Sequence, residues 1–173
     1  MGILSRLFGL SGGNDDSDKI KLELLSTYVA GTSYRQKEVK KVYKEICEYE
    51  KYDGLSTADI KSMYIEGERV YEIPAETPIL GNCELIPEPD NEYDKNAIKV
   101  VVDGMHVGYI PKDKCSEVKK ILDNIQSIDM EAHGGKYKEV YYDYDDFKEK
   151  VLTDKKDLGI NLSIFYYPEG ENN

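Results

Sequence analysis

The spacing of hydrophobic positions changes period several times along this chain, and each change marks an element. Leu22, Leu24 and Leu25 lead into Thr27-Tyr28-Val29-Ala30, a β-branched and aromatic run suited to a pleated, half-buried surface, which predicts a first strand over residues 27–34. Val39, Val42, Ile46 and Tyr49 then recur at three- and four-residue steps among Lys and Glu, the mark of an amphipathic helix over 36–51. Asp53-Gly54 stops that helix, and Ser56 or Thr57 can cap a second, short one through Met63 and Tyr64. From Arg69 the pattern turns to strands over 70–73, 79–86, 97–102 and 105–110. Asp103-Gly104, between the last two, is the strongest short hairpin signal present. Helical spacing returns with Val118, Ile121, Leu122 and Ile125, predicting a helix over 116–124. Gly134-Gly135 separates a strand-like 128–132 from 136–144, and the alternating run 160–166 supplies the closing strand.

Many short strands, few helices and no βαβ alternation imply an α+β, mainly β fold: one small, twisted, closed sheet with a helical insertion near 36–66 and a helix after the central hairpin. The domain is expected over 19–168. Residues 1–18 read as a tail and linker, because Ser11-Gly12-Gly13-Asn14-Asp15-Asp16 is all flexible or charged, and 169–173 as a short C-terminal tail. The apolar opening, Met1 to Leu10, is too short for a secretory signal with its cleavage site, and Arg6 breaks the myristoylation pattern. The tail is expected to add nothing to domain stability. No apolar run approaches the ~20 residues that span a bilayer.

Composition narrows the chemistry. Thirty-four acids against twenty-three bases give a net charge of −11, which opposes loose attraction to a polyanion, so any nucleic-acid role has to be local. Cys47, Cys83 and Cys115 are odd in number and widely spaced, with only His106 and His133 for company. Neither a disulfide framework nor a zinc site is suggested, no metal or cofactor is expected, and a reducing cytoplasm fits. Fifteen Tyr against three Phe and no Trp favour rings with one wet edge, at home on half-buried strands, interfaces and base-stacking platforms. Tyr141-Tyr142-Asp143-Tyr144-Asp145-Asp146 reads as an edge strand protected by charge. No phosphate loop, nucleophile elbow or Cys–His pair is recognisable, and the acids at 90, 92 and 94 lack a convergent partner, so no catalysis is expected.

One stretch is too particular for loop filler. Glu88-Pro89-Asp90-Asn91-Glu92-Tyr93-Asp94-Lys95-Asn96-Ala97-Ile98-Lys99 lies between two apolar strands, and Gly108-Tyr109-Ile110-Pro111 follows one hairpin later. Asp90, Asn91, Asp94 and Asn96 can each fold a side chain onto nearby backbone N–H groups, making Asx-turns that stiffen a loop without burying it. Turn formation accounts for the amides and acids. It leaves Tyr93 unexplained, since a turn has no need of a large ring at its apex beside a carboxylate.

That run, with Val29-Ala30-Gly31-Thr32-Ser33-Tyr34-Arg35 before it and Gly108-Tyr109-Ile110-Pro111 after it, resembles the signature of the HIRAN domain over about residues 26–135. The family is found fused to helicases and nucleases, at the front of fork-remodelling ATPases, and as small free-standing bacterial and phage proteins. The resemblance implies a modified OB-like β-barrel that binds single-stranded DNA by a free 3′ end. Tyr34 and Tyr93 match its stacking rings, Asp94 the carboxylate that accepts a hydrogen bond from the 3′-hydroxyl, Asn91 a polar partner in the same pocket, and Lys112 a phosphate contact. Ser33 stands where DNA-binding members carry a basic residue and Tyr109 where they carry histidine. Arg35 shares the strand face of Ser33, about 6.6 Å along it. The expected DNA-binding set is therefore Tyr34, Arg35, Asn91, Tyr93, Asp94, Tyr109 and Lys112. An ionised carboxylate accepts a hydroxyl proton well and repels a phosphate, so Asp94 would select a free end. The expected role is a non-catalytic module for DNA ends in repair, replication or mobile-element biology. The alternative is a protein-interaction module whose Tyr-rich groove takes a peptide or docks on a separate helicase or nuclease.

Overall fold

A computed structural model describes residues 22–168. The expected N-terminal tail and C-terminal tail fall outside the described residues. In chain order the elements are β1 (Glu23–Tyr28), α1 (Gln36–Val42), α2 (Thr57–Met63), β2 (Arg69–Tyr71), β3 (Pro78–Ile79), β4 (Cys83–Pro87), β5 (Ile98–Val102), β6 (Met105–Tyr109), α3 (Cys115–Ile121), β7 (Ile125–Asp143) and β8 (Lys148–Tyr166). Among the described residues no helix is long and apolar enough to cross a membrane.

The strands make two antiparallel sheets and not the single closed barrel expected from the sequence. The larger runs β1-β8-β7-β2, with β3 also on β7, and the smaller runs β4-β5-β6. Besides the α3 link from β6 to β7, the chain joins them at two changes of strand partner. After β1 it changes sheets within one step: the Val29 N–H donates to Ile160 O (2.8 Å) on β8, and the Ala30 N–H to Tyr109 O (2.8 Å) on β6. The second crossing splits the strand expected over 79–86. It breaks at Gly81-Asn82, where the Asp103 carboxylate accepts the Asn82 N–H (2.9 Å), so β3 stays with β7 while β4 pairs with β5.

Between the sheets lies the main core. Val100, Val102 and Val107 of the small sheet belong to one buried cluster with Met130, Ala132, Ile160, Leu162 and Ile164 of the large one, and Val39 and Val42 of α1 and Val118 of α3 close it. The outer half of the β7–β8 hairpin has a core of its own, where Ile60 of α2 is buried against Val70 and Val140. Helix α2 starts as predicted: Ser56 and Asp59 form a reciprocal capping box, worth about 1 kcal/mol for the serine cap.

Four elements differ from their predicted extents for tertiary reasons. β1 ends at Tyr28 and residues Thr32–Arg35 form a 3-10 turn, because the chain turns at Gly31 (φ 77°). The helix expected over 36–51 stops as an α-helix at Val42; the Tyr43 hydroxyl donates to Gly159 O of the β7–β8 hairpin and accepts the His133 N–H (3.0 Å), and Ile46 goes extended to bridge Ile79. Gly134-Gly135 is a bulge inside a continuous 19-residue β7, and β8 reaches back to Lys148, well before the predicted 160. Residues 153–157 are exposed, so no periodicity could reveal that part of the strand.

Candidate functional site

The loop from Glu88 to Ala97 closes on itself at both ends. The Glu88 N–H donates to Ala97 O (2.9 Å), the Ala97 N–H to Asp94 O (2.9 Å), and the Asn91 N–H to Glu88 O (3.0 Å). Asn91 is the centre of this arrangement. Its Oδ1 accepts the N–H groups of Tyr93 (3.0 Å) and Asp94 (3.1 Å), and its Nδ2 donates to Glu88 Oε2 (3.1 Å). Asp94 in turn accepts the Asn96 N–H on Oδ1 (2.8 Å), and Lys119 of α3 donates to Asn96 Oδ1 (2.9 Å). Asn91 and Asp94 thus make two of the four Asx-turns the sequence predicts, the Asn96 oxygen goes to Lys119 instead, and the loop takes most of Asn91.

Tyr93 receives no such support for its ring. With the backbone pinned on both sides, its side chain stands 95% exposed at the loop apex. Tyr34, on the 3-10 turn, is equally exposed. Water gains nothing from two phenol rings held out in this way, and their flat faces are free to stack.

The wall behind the loop comes from β5 and β6. Lys99 and Tyr109 are register partners there, and Glu88 lies against both: Lys99 Nζ sits 2.6 Å from Glu88 Oε1, and the Tyr109 phenol donates to the same carboxylate. Lys99 first, then Asn91 and Tyr109, hold the Glu88 carboxyl down at about 2. Burial and the Glu88 hydrogen bond push the Tyr109 phenol up, so it is a neutral donor. A register shift between Val100 and Val101 alters which side chains share a face of β6. His106 and Tyr109, three apart and on opposite faces of a regular strand, meet edge to face with ring centroids 4.8 Å apart. Burial, then the nearby Arg35, lowers the His106 pKa, which keeps that ring neutral.

Gly108 explains how the 29–35 segment comes within reach. The Tyr109 N–H donates to Ala30 O (2.9 Å), closing the sheet-to-sheet bridge, and a Cβ on Gly108 would lie 2.3 Å from that same oxygen. Only glycine permits the approach. The expected placement of Arg35 on a strand face is thereby replaced: at the 3-10 rise of about 2.0 Å per residue it lies some 4 Å from Ser33 along the turn axis and points to the loop.

The outcome is a cavity of about 420 Å³ that Arg35, Asn91, Tyr93, Asp94, Tyr109 and Lys112 all line. Tyr34 does not line it and stands beside it on the turn. A second hollow of about 560 Å³ lies on the other side of the Asn91-Tyr93-Tyr109 ridge, lined by Ile86, Glu88 and Lys99 among others. Arg35 and Lys112 have no ion pair among the described residues, whereas Lys99 is neutralised by Glu88. The charge facing the smaller cavity is therefore two cations and Asp94, on a chain that is acidic as a whole. The Cys115 side chain also lines it; burial first and then the Asp94 carboxylate push its thiol up, so it stays protonated and apolar. Cys115, His106 and the Glu88–Lys99 pair were not among the residues expected at the site. Lys99 could have been placed from strand alternation, but His106 needs the bulge and Cys115 needs the docking of α3.

The match to a family model settles what this constellation belongs to: the HIRAN domain model covers residues 22–151. This chain belongs to the HIRAN domain family. The matched stretch contains the whole Asp94 cavity, from Arg35 to Cys115, and ends inside β8. No curated protein and no solved structure matches the chain. HIRAN domains are a nucleic-acid-binding family.

Proposed function

We propose that this HIRAN domain is a non-catalytic module that binds single-stranded DNA by its free 3′ end, with the terminal nucleotide in the Asp94 cavity. The observation that carries the reading is the convergence of Arg35, Tyr93, Asp94, Tyr109 and Lys112 on one hollow of nucleotide size. Each has a role that follows from its chemistry. Tyr93 stacks the terminal base and Tyr34 the one before it, each stack worth about 1–3 kcal/mol. Among the described residues Asp94 Oδ2 has no hydrogen bond, and it accepts the 3′-hydroxyl proton. Arg35 and Lys112 neutralise the adjoining phosphate. Tyr109, tied to Glu88, shapes the wall and does not titrate. Asn91 acts by holding the loop, with one amide hydrogen to spare for the ligand.

An end pocket needs few phosphate contacts, which is how a chain of net charge −11 can still hold a polyanion. The test is fluorescence anisotropy with short labelled strands carrying a 3′-hydroxyl or a 3′-phosphate. Binding of the hydroxyl form and rejection of the phosphate form is the expected result. If neither strand binds even at low salt, DNA-end recognition fails. The acidic surface then favours the same groove as a docking site for a peptide or a separate helicase or nuclease.

A further inference from the structure

Away from the Asp94 cavity, a third hollow of about 450 Å³ lies between α1 and the bulged middle of the β7–β8 hairpin. Lys40, Lys136, Lys155 and Lys156 line it. The acids in the same wall are Glu72 and Asp157; Glu72 is held at 2.6 Å by Lys51 and reaches Lys136 only at 3.9 Å. Lys40, Lys155 and Lys156 have no ion pair among the described residues. Moreover, Lys136 and Lys155 are directly opposed in the β7–β8 ladder. Like charges in that position cost stability, and the acid across from Lys136 on the other side of β7, Glu72, is held more closely by Lys51. The bulge enforces the geometry. Gly134 has φ +82°, and a Cβ there would lie 2.2 Å from Asp157 O, so the strands could not approach with any other residue.

We propose that this lysine cavity binds backbone phosphates of the single strand whose 3′ end occupies the Asp94 cavity; the inference rests on that end-binding reading. The two hollows are neighbours along the chain. Arg35 lines the first and Gln36, with its Cα about 3.8 Å away, lines the second. Gln36 is fixed in place: its Nε2 donates to Thr32 O (3.1 Å) and Leu158 O (2.8 Å), and its Oε1 accepts the Leu158 N–H (3.1 Å). Tyr34 stands exposed on the same turn. A strand leaving the end cavity therefore meets a ring and then four ammonium groups. Lysine suits this contact, because a compact point charge with three rotatable donors neutralises phosphate without reading a base. Lys155 and Lys156 lie beyond the residues matched by the family model, so this second contact is built partly from sequence outside that match.

The experiment compares 3′-hydroxyl oligothymidylates, a dinucleotide and a strand of about ten nucleotides, on the full chain with and without Lys155→Gln/Lys156→Gln, across a range of salt. The wild-type chain should bind the longer strand more tightly. The double variant should lose that gain and leave dinucleotide affinity unchanged, with a log–log salt slope for the long strand shallower by about 0.7 for each phosphate contact removed. Its thermal midpoint should hold or rise as the opposed lysines are relieved, which excludes misfolding as the cause. Equal wild-type affinity for both lengths, or equal losses for both in the variant, overturns the lysine contact while leaving 3′-end recognition intact. A long strand that responds to the lysine changes but ignores 3′-phosphorylation supports the lysine cavity and overturns the end pocket. Failure of the wild type to bind either strand overturns both.

Discussion

Asn91 and Asp94 lie three residues apart in one loop, yet their polar atoms are committed differently. Asn91 accepts two backbone N–H groups and donates to Glu88, so Asn91→Ala removes three hydrogen bonds worth about 0.5–1.5 kcal/mol each. Its thermal midpoint and its strand affinity should fall together, measured by calorimetry and anisotropy on one preparation. Asp94→Asn keeps Oδ1 for the Asn96 N–H and removes the charge. It should melt like the wild type and bind 3′-hydroxyl and 3′-phosphate strands alike; retained discrimination would rule Asp94 out as the selector. Tyr93→Ala, in contrast, should cost roughly 1–3 kcal/mol of affinity with no change in stability, since a ring 95% exposed has no packing to lose. Glu88 adds a pH dependence. Its carboxyl titrates near 4.3 in an unfolded chain and is held at about 2 in the fold by Lys99, Asn91 and Tyr109. Its stabilising contribution is therefore complete above about pH 4.3 and is lost as pH falls towards 2. The difference in urea stability between wild type and Glu88→Gln should be constant above about pH 5 and shrink below about pH 4.

At the scale of elements, the site depends on where the two sheets touch and is indifferent to the outer hairpin. Gly108→Ala drives a Cβ into Ala30 O and Val29 Cγ1, at 2.3 and 2.6 Å, so the bridge between β6 and the 29–35 segment must shift. Overpacking of this kind costs roughly 1–3 kcal/mol, and strand affinity should drop with it because Tyr34 and Arg35 hang from that bridge. Ile60→Ala empties the satellite core of α2, Val70 and Val140 at a cost of about 2–5 kcal/mol. Hydrogen exchange should quicken over residues 57–71 and 137–151 while strand affinity stays as it was. A loss of binding in that variant would mean that the outer hairpin communicates with the Asp94 cavity after all. The bulge on β6 makes the same point in the other direction, since a one-residue change of register carries His106 to the face of Tyr109.

For the molecule as a whole, the governing quantity is a net charge of −11 against a few local cations. Arg35 and Lys112 share the one internucleotide phosphate of a 3′-hydroxyl dinucleotide, which gives a log–log salt slope near −0.7, about 0.7 per phosphate on a single strand. A much steeper slope would show that the acidic surface has a larger basic footprint than these contacts provide. Part of this whole was legible from the chain alone. Local chemistry determined the Asp103-Gly104 hairpin, the Ser56 cap, α3, the Asx-turned loop and the family signature, because each depends on residues within a few positions of one another. The tertiary structure alone decided the rest. Two sheets form in place of one barrel because the chain changes partner at Ala30 and at Gly81-Asn82, and partner choice between strands leaves no local trace. Residues 153–157 join β8 through hydrogen bonds to β7, with exposed side chains that give no alternation to read. Lys136 and Lys155 look like ordinary solvated charges in sequence. Only the register of the bulged hairpin sets them face to face.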